Sequence, residues 1–210
     1  ARGVGFYQAT GGTDYYTNRG AGTSPYESTL VDNRPTGTDI IALQYAGSQT
    51  LSFTEAIANP VFAFVSLNFN GYGFDQDFEI LSVGGEGGNA CGYWGCGGIT
   101  KSIVDLGGGR FEYQLNASNV GGSEPHGTIR FLGAFSTLTW RSQSNEYWNG
   151  FTVGVQGTAA EVPPCDIDPT GEGCNNPPPP PPPTSVPEPG TLALFGLGLL
   201  GLGLTRRRLL

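Results

Sequence analysis

Through the first 160 or so residues, apolar side chains recur at every second position, and no stretch carries them at helical spacing. In "GRFEYQLN", Phe111, Tyr113 and Leu115 alternate with Glu112, Gln114 and Asn116. In "GFTVGVQG", Phe151, Val153 and Val155 alternate with Thr152, Gly154 and Gln156, and "GTIRFLGAF" puts Ile129, Phe131, Gly133 and Phe135 on one face. Successive side chains of a strand point to opposite faces, so this period predicts half-buried antiparallel strands. "VFAFVSLNF" is apolar on both faces, which predicts a central strand covered on both sides. "DIIALQYAG", "QTLSFT" and "DFEILSVGG" are further strand candidates, and glycine-rich breaks such as "VGGEGGNACG" and "LGGGR" supply turns. With 35 glycines, no methionine and few strong helix formers, the expected fold is all-β. Eight or so short strands predict an antiparallel β-sandwich, jelly-roll-like.

Twelve of the 16 prolines follow Val162, and that shift marks a domain boundary. Residues 1–160 form the expected sandwich domain and 161–185 a proline-rich stalk; a distinct C-terminal segment occupies 186–210. The seven prolines at 177–183 predict a polyproline II rod of roughly 22 Å, at about 3.1 Å per residue. Four cysteines fall in two close pairs, Cys91 with Cys96 and Cys165 with Cys174, neither at zinc-knuckle spacing. The spacing favours two local disulfides in an oxidising compartment, although four cysteines allow three connectivities and free buried thiols are the alternative. The chain begins "ARGVGFYQAT" without a signal peptide or initiator Met, so either a leader has been removed or the reading frame is partial.

The formal net charge is −8, and three of the ten basic residues are Arg206, Arg207 and Arg208 at the end. Such an acidic body repels phosphate backbones, which argues against nucleic acid as a partner. His126 is the only histidine and sits in the turn-like "GGSEPHGT", so it reads as a surface-loop residue, and a histidine-based catalytic device is not expected. Asp75, Asp77 and Glu79 would line one solvated face of a regular strand; Glu112 and Glu146 complete the acidic candidates for sugar cleavage. We expect no enzyme and no cofactor. "DIDPTGE" places Asp166, Asp168, Thr170 and Gly171 as in the start of an EF-hand loop, but Pro177 stands where the bidentate glutamate belongs. Structural calcium is therefore kept open with no ligands and no metal site assigned. Tyr93 and Trp94, on the small Cys91–Cys96 loop, are the candidates for stacking on a glycan, whereas Trp140 ends an alternating strand and is expected in the core. "NAS" at Asn116 matches a glycosylation sequon by pattern only.

The chain closes with "TSVPEPGTLALFGLGLLGLGLTRRRLL". Fifteen residues from Thr191 to Thr205 would span roughly 22 Å as a helix, short of a hydrocarbon core of about 30 Å. This predicts a short C-terminal hydrophobic helix with marginal membrane insertion, an adequate temporary tether and a poor permanent one. The arginines would stay cytoplasmic, leaving the domain on the far side of the inner membrane. The stretch closely resembles the PEP-CTERM sorting signal of Gram-negative bacteria. It carries the Pro187, Glu188 and Pro189 motif, then a short apolar run, then the Arg206 to Arg208 cluster. The resemblance implies that an exosortase, a membrane-embedded transpeptidase, recognises the motif, that the helix is cut off, and that the protein passes to the cell surface or extracellular matrix. It also implies an association with exopolysaccharide and biofilm. Upstream, "GTIRFLGAFSTLTW…NEYWNGFTVGV" resembles surface domains that travel with this signal and implies an extracellular β-sandwich without a stated ligand.

The expected role is structural or adhesive, at the surface or in the matrix. A carbohydrate-binding module recognising exopolysaccharide is the second reading, favoured by an ordered aromatic cluster in a groove. A glycosidase or polysaccharide lyase is the third, favoured by two carboxylates about 5–10 Å apart across a cleft.

Overall fold

The computed structural model describes residues 4–118, 124–171 and 174, with side chains from residue 7. Among them run twelve strands. In chain order these are β1 (Val4–Gln8), β2 (Ile40–Leu43), β3 (Gly47–Ala58), β4 (Val61–Val65), β5 (Gly71–Phe74) and β6 (Phe78–Val83). The second half contributes β7 (Gly98–Gly107), β8 (Arg110–Ser118), β9 (Gly127–Phe131), β10 (Ala134–Ser142), β11 (Asn149–Gly154) and β12 (Gly157–Thr158). One helical turn, α1 (Pro164–Ile167), follows with proline in its first turn, where the missing N–H costs nothing.

The strands form two antiparallel sheets of six. The first has the order β1-β2-β11-β4-β9-β6 and the second β12-β3-β10-β5-β8-β7. From β3 onward every strand but β8 lies in the other sheet from its predecessor; β8 stays with β7 in one hairpin.

The two sheets face each other across one aromatic core. Phe62 of β4 stacks on Phe151 of β11 at 4.6 Å and meets Phe131 of β9 edge-on at 5.0 Å, all from the first sheet. From the second sheet, Phe74 and Trp140 reach the same ring at 6.1 and 5.9 Å. Edge-to-face and offset contacts are the geometry that the ring quadrupole favours. Trp140 is 4% exposed, in the core as its strand position predicts. The outer face of the first sheet carries a second cluster: Tyr16, Tyr26, Ile40, Ala63 and Val65, with Tyr15 and Trp148 against it. β4 is therefore covered on both faces, Phe62 and Phe64 on one and Ala63 and Val65 on the other, as its doubly apolar sequence predicts.

Several expectations need correction. "GTIRFLGAF" is not one strand: β9 ends at Phe131 in the first sheet and β10 begins at Ala134 in the second. The crossing is made at Gly133, whose φ of 106° suits glycine and whose N–H donates to Asn59 Oδ1. Period-two patterning continues through the crossing, so alternation alone could not reveal it. Phe111 and Val155 are exposed, because the β7–β8 hairpin outruns the sheet beside it and β11 stops at Gly154. Asp75 and Asp77 lie in the turn before β6, so the three acids do not line one strand face. Asp75 accepts from Thr139 N at 3.0 Å, Asp77 pairs with Lys101 and Glu79 with Arg130.

These residues belong to one compact unit, Ala1–Asn175; the other, Asn176–Leu210, lies outside the described residues. With it lie most of the expected stalk, the expected apolar helix, Pro187, Glu188, Pro189, Arg206, Arg207 and Arg208. Among the described residues, no helix is long and apolar enough to cross a membrane.

Candidate functional site

Alternation sends Ile129 and Phe131 of β9 inward, which sends Thr128 and Arg130 outward. The same parity turns Val61 and Ala63 of β4 and Thr152 of β11 to that outer face. Together they floor a groove of about 980 Å³, walled on one side by residues 29–37 and on the other by Cys165, Asp166 and Pro169. The size suits a small ligand or a few linked rings.

The groove's polar groups are held from behind. Asn59 is buried with φ 44°, a left-handed conformation that asparagine tolerates better than most residues. Its Nδ2 donates to Asp166 O at 2.6 Å, pinning the Cys165–Cys174 segment to the end of β3. Thr152 Oγ1 donates to Asp39 Oδ2 at 2.6 Å, and Arg130 pairs with Glu79. Two buried groups at this face are left over. The Thr128 hydroxyl and Arg130 Nε have no partner among the described residues. Thr128 is 1% exposed, and burying an unpaired hydroxyl costs about 1–3 kcal/mol.

The sequence-selected glycan candidates form a different site. Cys91–Cys96 and Cys165–Cys174 are both disulfides, with Cα separations of 4.8 and 5.1 Å. On the first loop, Tyr93 is wedged edge-on between Tyr15 at 5.3 Å and Trp94 at 4.8 Å, and Tyr15 continues to Trp148 at 5.0 Å. Tyr93 is thus used in packing, whereas Trp94 stays 43% exposed. Beneath them lies His126, fully buried, so its assignment to the surface is wrong. It was hidden because a short polar-looking segment, "EPHG", passes under the disulfide loop; a Cβ on Gly92 would overlap its ring. Nδ1 donates to Glu124 O at 2.7 Å and Nε2 accepts from Trp94 N at 3.4 Å. Burial pushes the imidazole down to about 4, only partly opposed by the Glu124 carbonyl. Among the described residues it acts as a neutral structural post between the Glu124 carbonyl and the Trp94 N–H.

A third polar cluster ties together the connections β4–β5 and β10–β11. Glu146 accepts from Asn68 N and Asn149 Nδ2, each at 2.8 Å, and from Asn70 Nδ2 at 3.3 Å. Burial pushes its carboxyl up to about 7, against these donors and with help from Glu124. Glu124 bonds Ser66, and Ser66 and Phe69 both adopt left-handed φ, at 63° and 48°. The two carboxylates are spent on holding loops, and neither lines the groove. Glu112 is likewise engaged, in a two-pronged pair with Arg141 at 2.7 and 2.8 Å that keeps its carboxyl low. Asp168 Oδ1 turns back to Thr170 N and Oγ1, and no group of three metal-ligating side chains occurs among the described residues. Asn116 is tied into the second sheet through Ser102 and Gln143.

Comparison with protein families matches residues 185–208 to the PEP-CTERM protein-sorting motif. The chain carries a PEP-CTERM sorting signal. No curated protein and no solved structure matches the chain. The PEP-CTERM signal covers Pro187, Glu188 and Pro189 through Arg206, Arg207 and Arg208. It makes this an exported protein, held at the membrane before it is processed and sorted by an exosortase. The PEP-CTERM match does not reach the β domain, so the groove's meaning rests on its own chemistry. Sequence reading missed the groove. Thr128 and Arg130 sit at the polar parity of "GTIRF", a weak local sign, while Asn59, Asp39 and Asp166 come from distant segments that only the fold brings together.

Proposed function

We propose that the protein is a non-catalytic, structural or adhesive component of the cell surface or extracellular matrix. Its β domain would be the working part and the C-terminal signal its means of delivery. The observation that carries this reading is the sorting signal joined to a disulfide-bearing all-β domain. Disulfides persist in the oxidising compartments to which such a signal leads. We read the domain as a jelly-roll-like sandwich: the inner order β2-β11-β4-β9 facing β3-β10-β5-β8 supports this, with β6 and β7 added at the far edges. The carboxylates with altered acidity are occupied in structural pairs, which supports a binding or structural role over hydrolysis. Replacing Pro187, Glu188 and Pro189 by alanine should stop surface delivery in the native host; normal delivery would reject the reading.

The groove favours a second reading, a carbohydrate-binding module. Its lining sets the Arg130 side chain with the carboxylates of Asp32, Asp39 and Asp166, a mixture that suits a hydroxyl-rich ligand that both donates and accepts. The binding face would then be this groove, with Tyr93 and Trp94 outside it. A screen of the exported protein against neutral and acidic polysaccharides tests this. Binding that falls at least tenfold in Arg130→Ala and survives in Trp94→Ala supports the groove; the reverse pattern assigns the disulfide loop instead.

A further inference from the structure

The free edges of the two sheets are not alike. β12 covers only the last two residues of β3, and the rest of that open edge jumps register between Ser52 and Ile57. β1 and β6, the edges of the first sheet, each carry a register shift, at Val4/Phe6 and at Ile80/Ser82. Short, bulged edges of this kind resist pairing with another chain. β7 differs. It runs for ten residues, stays in unbroken register with β8 from Gly98 to Asp105, shifts only at its far end between Asp105 and Gly107, where Gly107 N donates to Asp105 Oδ1 at 2.7 Å, and ends in three glycines, 107–109, with φ of 79°, 65° and 74°. β8 pairs with β5 only from Tyr113 to Asn116, so the outer part of the hairpin stands clear of the sheet. It leaves Ile103 57%, Val104 37% and Leu106 52% exposed. Among the described residues, the far side of β7 has no strand beside it.

We propose that β7 is a self-association edge on which a second copy of this chain docks, antiparallel, with Ile103 opposite Ile103. Charge selects both the occupant and the register. β7 contains one cation, Lys101 (the only lysine in the chain), and one anion, Asp105. Centred on Ile103, antiparallel pairing sets each Lys101 opposite the other copy's Asp105, on the face shared by the two isoleucines. Opposite charges across a strand pair stabilise it, and side chains directly opposite lie on one face. A slip by one residue sets Lys101 against Val104 or Leu106 and breaks both pairs, so the charges that discourage indiscriminate pairing permit this one. Lys101 is already oriented: Nζ bonds Asp77 and Phe78 O, at 5.1 Å from the Phe78 ring centre and 5.6 Å from that of Tyr113. An ammonium has three donors, and the third is open to the second copy's Asp105. The pairing is two-fold symmetric and closes at two copies, joining two second sheets into one.

The test is sedimentation velocity of exported protein, purified from the native host, over a concentration series. The wild type should pass reversibly from monomer to dimer. Asp105→Lys alone opposes four lysines across the edge and Lys101→Glu alone opposes four carboxylates; each should stay monomeric. An equimolar mixture of the two variants should dimerise again, because every pair then has opposite signs. Ile103→Lys, which leaves the Lys101–Asp77 contact intact, should also be monomeric with an unchanged circular dichroism spectrum. A monomeric wild type at every concentration overturns the proposal. So does a dimer that survives Asp105→Lys or Ile103→Lys, or a mixture of two folded variants that stays monomeric.

Discussion

Two titrating side chains, His126 and Glu146, act on stability in opposite directions. The folded protein holds His126 down to about 4, below its ordinary 6.5, so the stability it contributes is complete above pH 6.5 and is lost as pH falls toward 4. Glu146 is raised to about 7 from 4.5. Its protonated form belongs to the fold, so its contribution is complete below pH 4.5 and is lost as pH rises through 7. Glu146→Gln mimics the protonated form. The variant should melt above the wild type at pH 8 and at a similar temperature at pH 5, and equal differences at both would refute the assignment. In the wild type, the His126 imidazole followed by NMR should titrate near 4; a midpoint near 6.5 would mean that the ring is solvated. In the core, Phe62→Ala removes the ring shared by Phe74, Phe131, Trp140 and Phe151. The expected cost is about 3–5 kcal/mol in chemical denaturation.

Among the elements, the two disulfide loops are short, and each should contribute about 2–3 kcal/mol through the unfolded chain. They differ in what else they hold. Breaking Cys91–Cys96 by Cys91→Ser and Cys96→Ser also frees the strap that gives His126 its Trp94 N–H partner. That pair of substitutions should raise the His126 titration midpoint as well as lower stability. Cys165→Ser with Cys174→Ser should lower stability alone, and an equal effect of both pairs on the titration would contradict this. The strands were readable where a strand has one wet face or, like β4, none. "GRFEYQLN" and "VFAFVSLNF" declare themselves because burial acts on every second residue or on all. β7 went unread, since "TKSIVDLG" projects beyond the sheet and no burial imposes a pattern on it. His126 was misread because three-dimensional cover from a disulfide loop leaves no trace in the six residues around it. The groove shares that illegibility: its residues are neighbours only after β4, β9 and β11 have paired.

At the level of the whole molecule, the described domain and the sorting signal are separable in what they predict. The signal is readable in full from order and composition alone, because a motif, an apolar run and an arginine cluster are consecutive in the chain. Mature protein from the outer fraction of the native host should therefore lack roughly 20 C-terminal residues by intact mass, and protein ending at Leu210 would refute processing. The domain's own order of pairing bears on how it is made. β2 lies between β1 and β11, and its register with β11 joins Leu43 to Asn149. β3 finds its main partner in β10, Gly47 opposite Ser142. Contacts this distant in sequence close slowly, since loop entropy must be lost before they reward the chain. A growing chain interrupted before residue 149 lacks β11 and β12 and cannot complete either sheet. The strand that closes the first sheet, β11, is thus among the last parts of the domain to be made, and a truncation before it removes the link between β2 and β4.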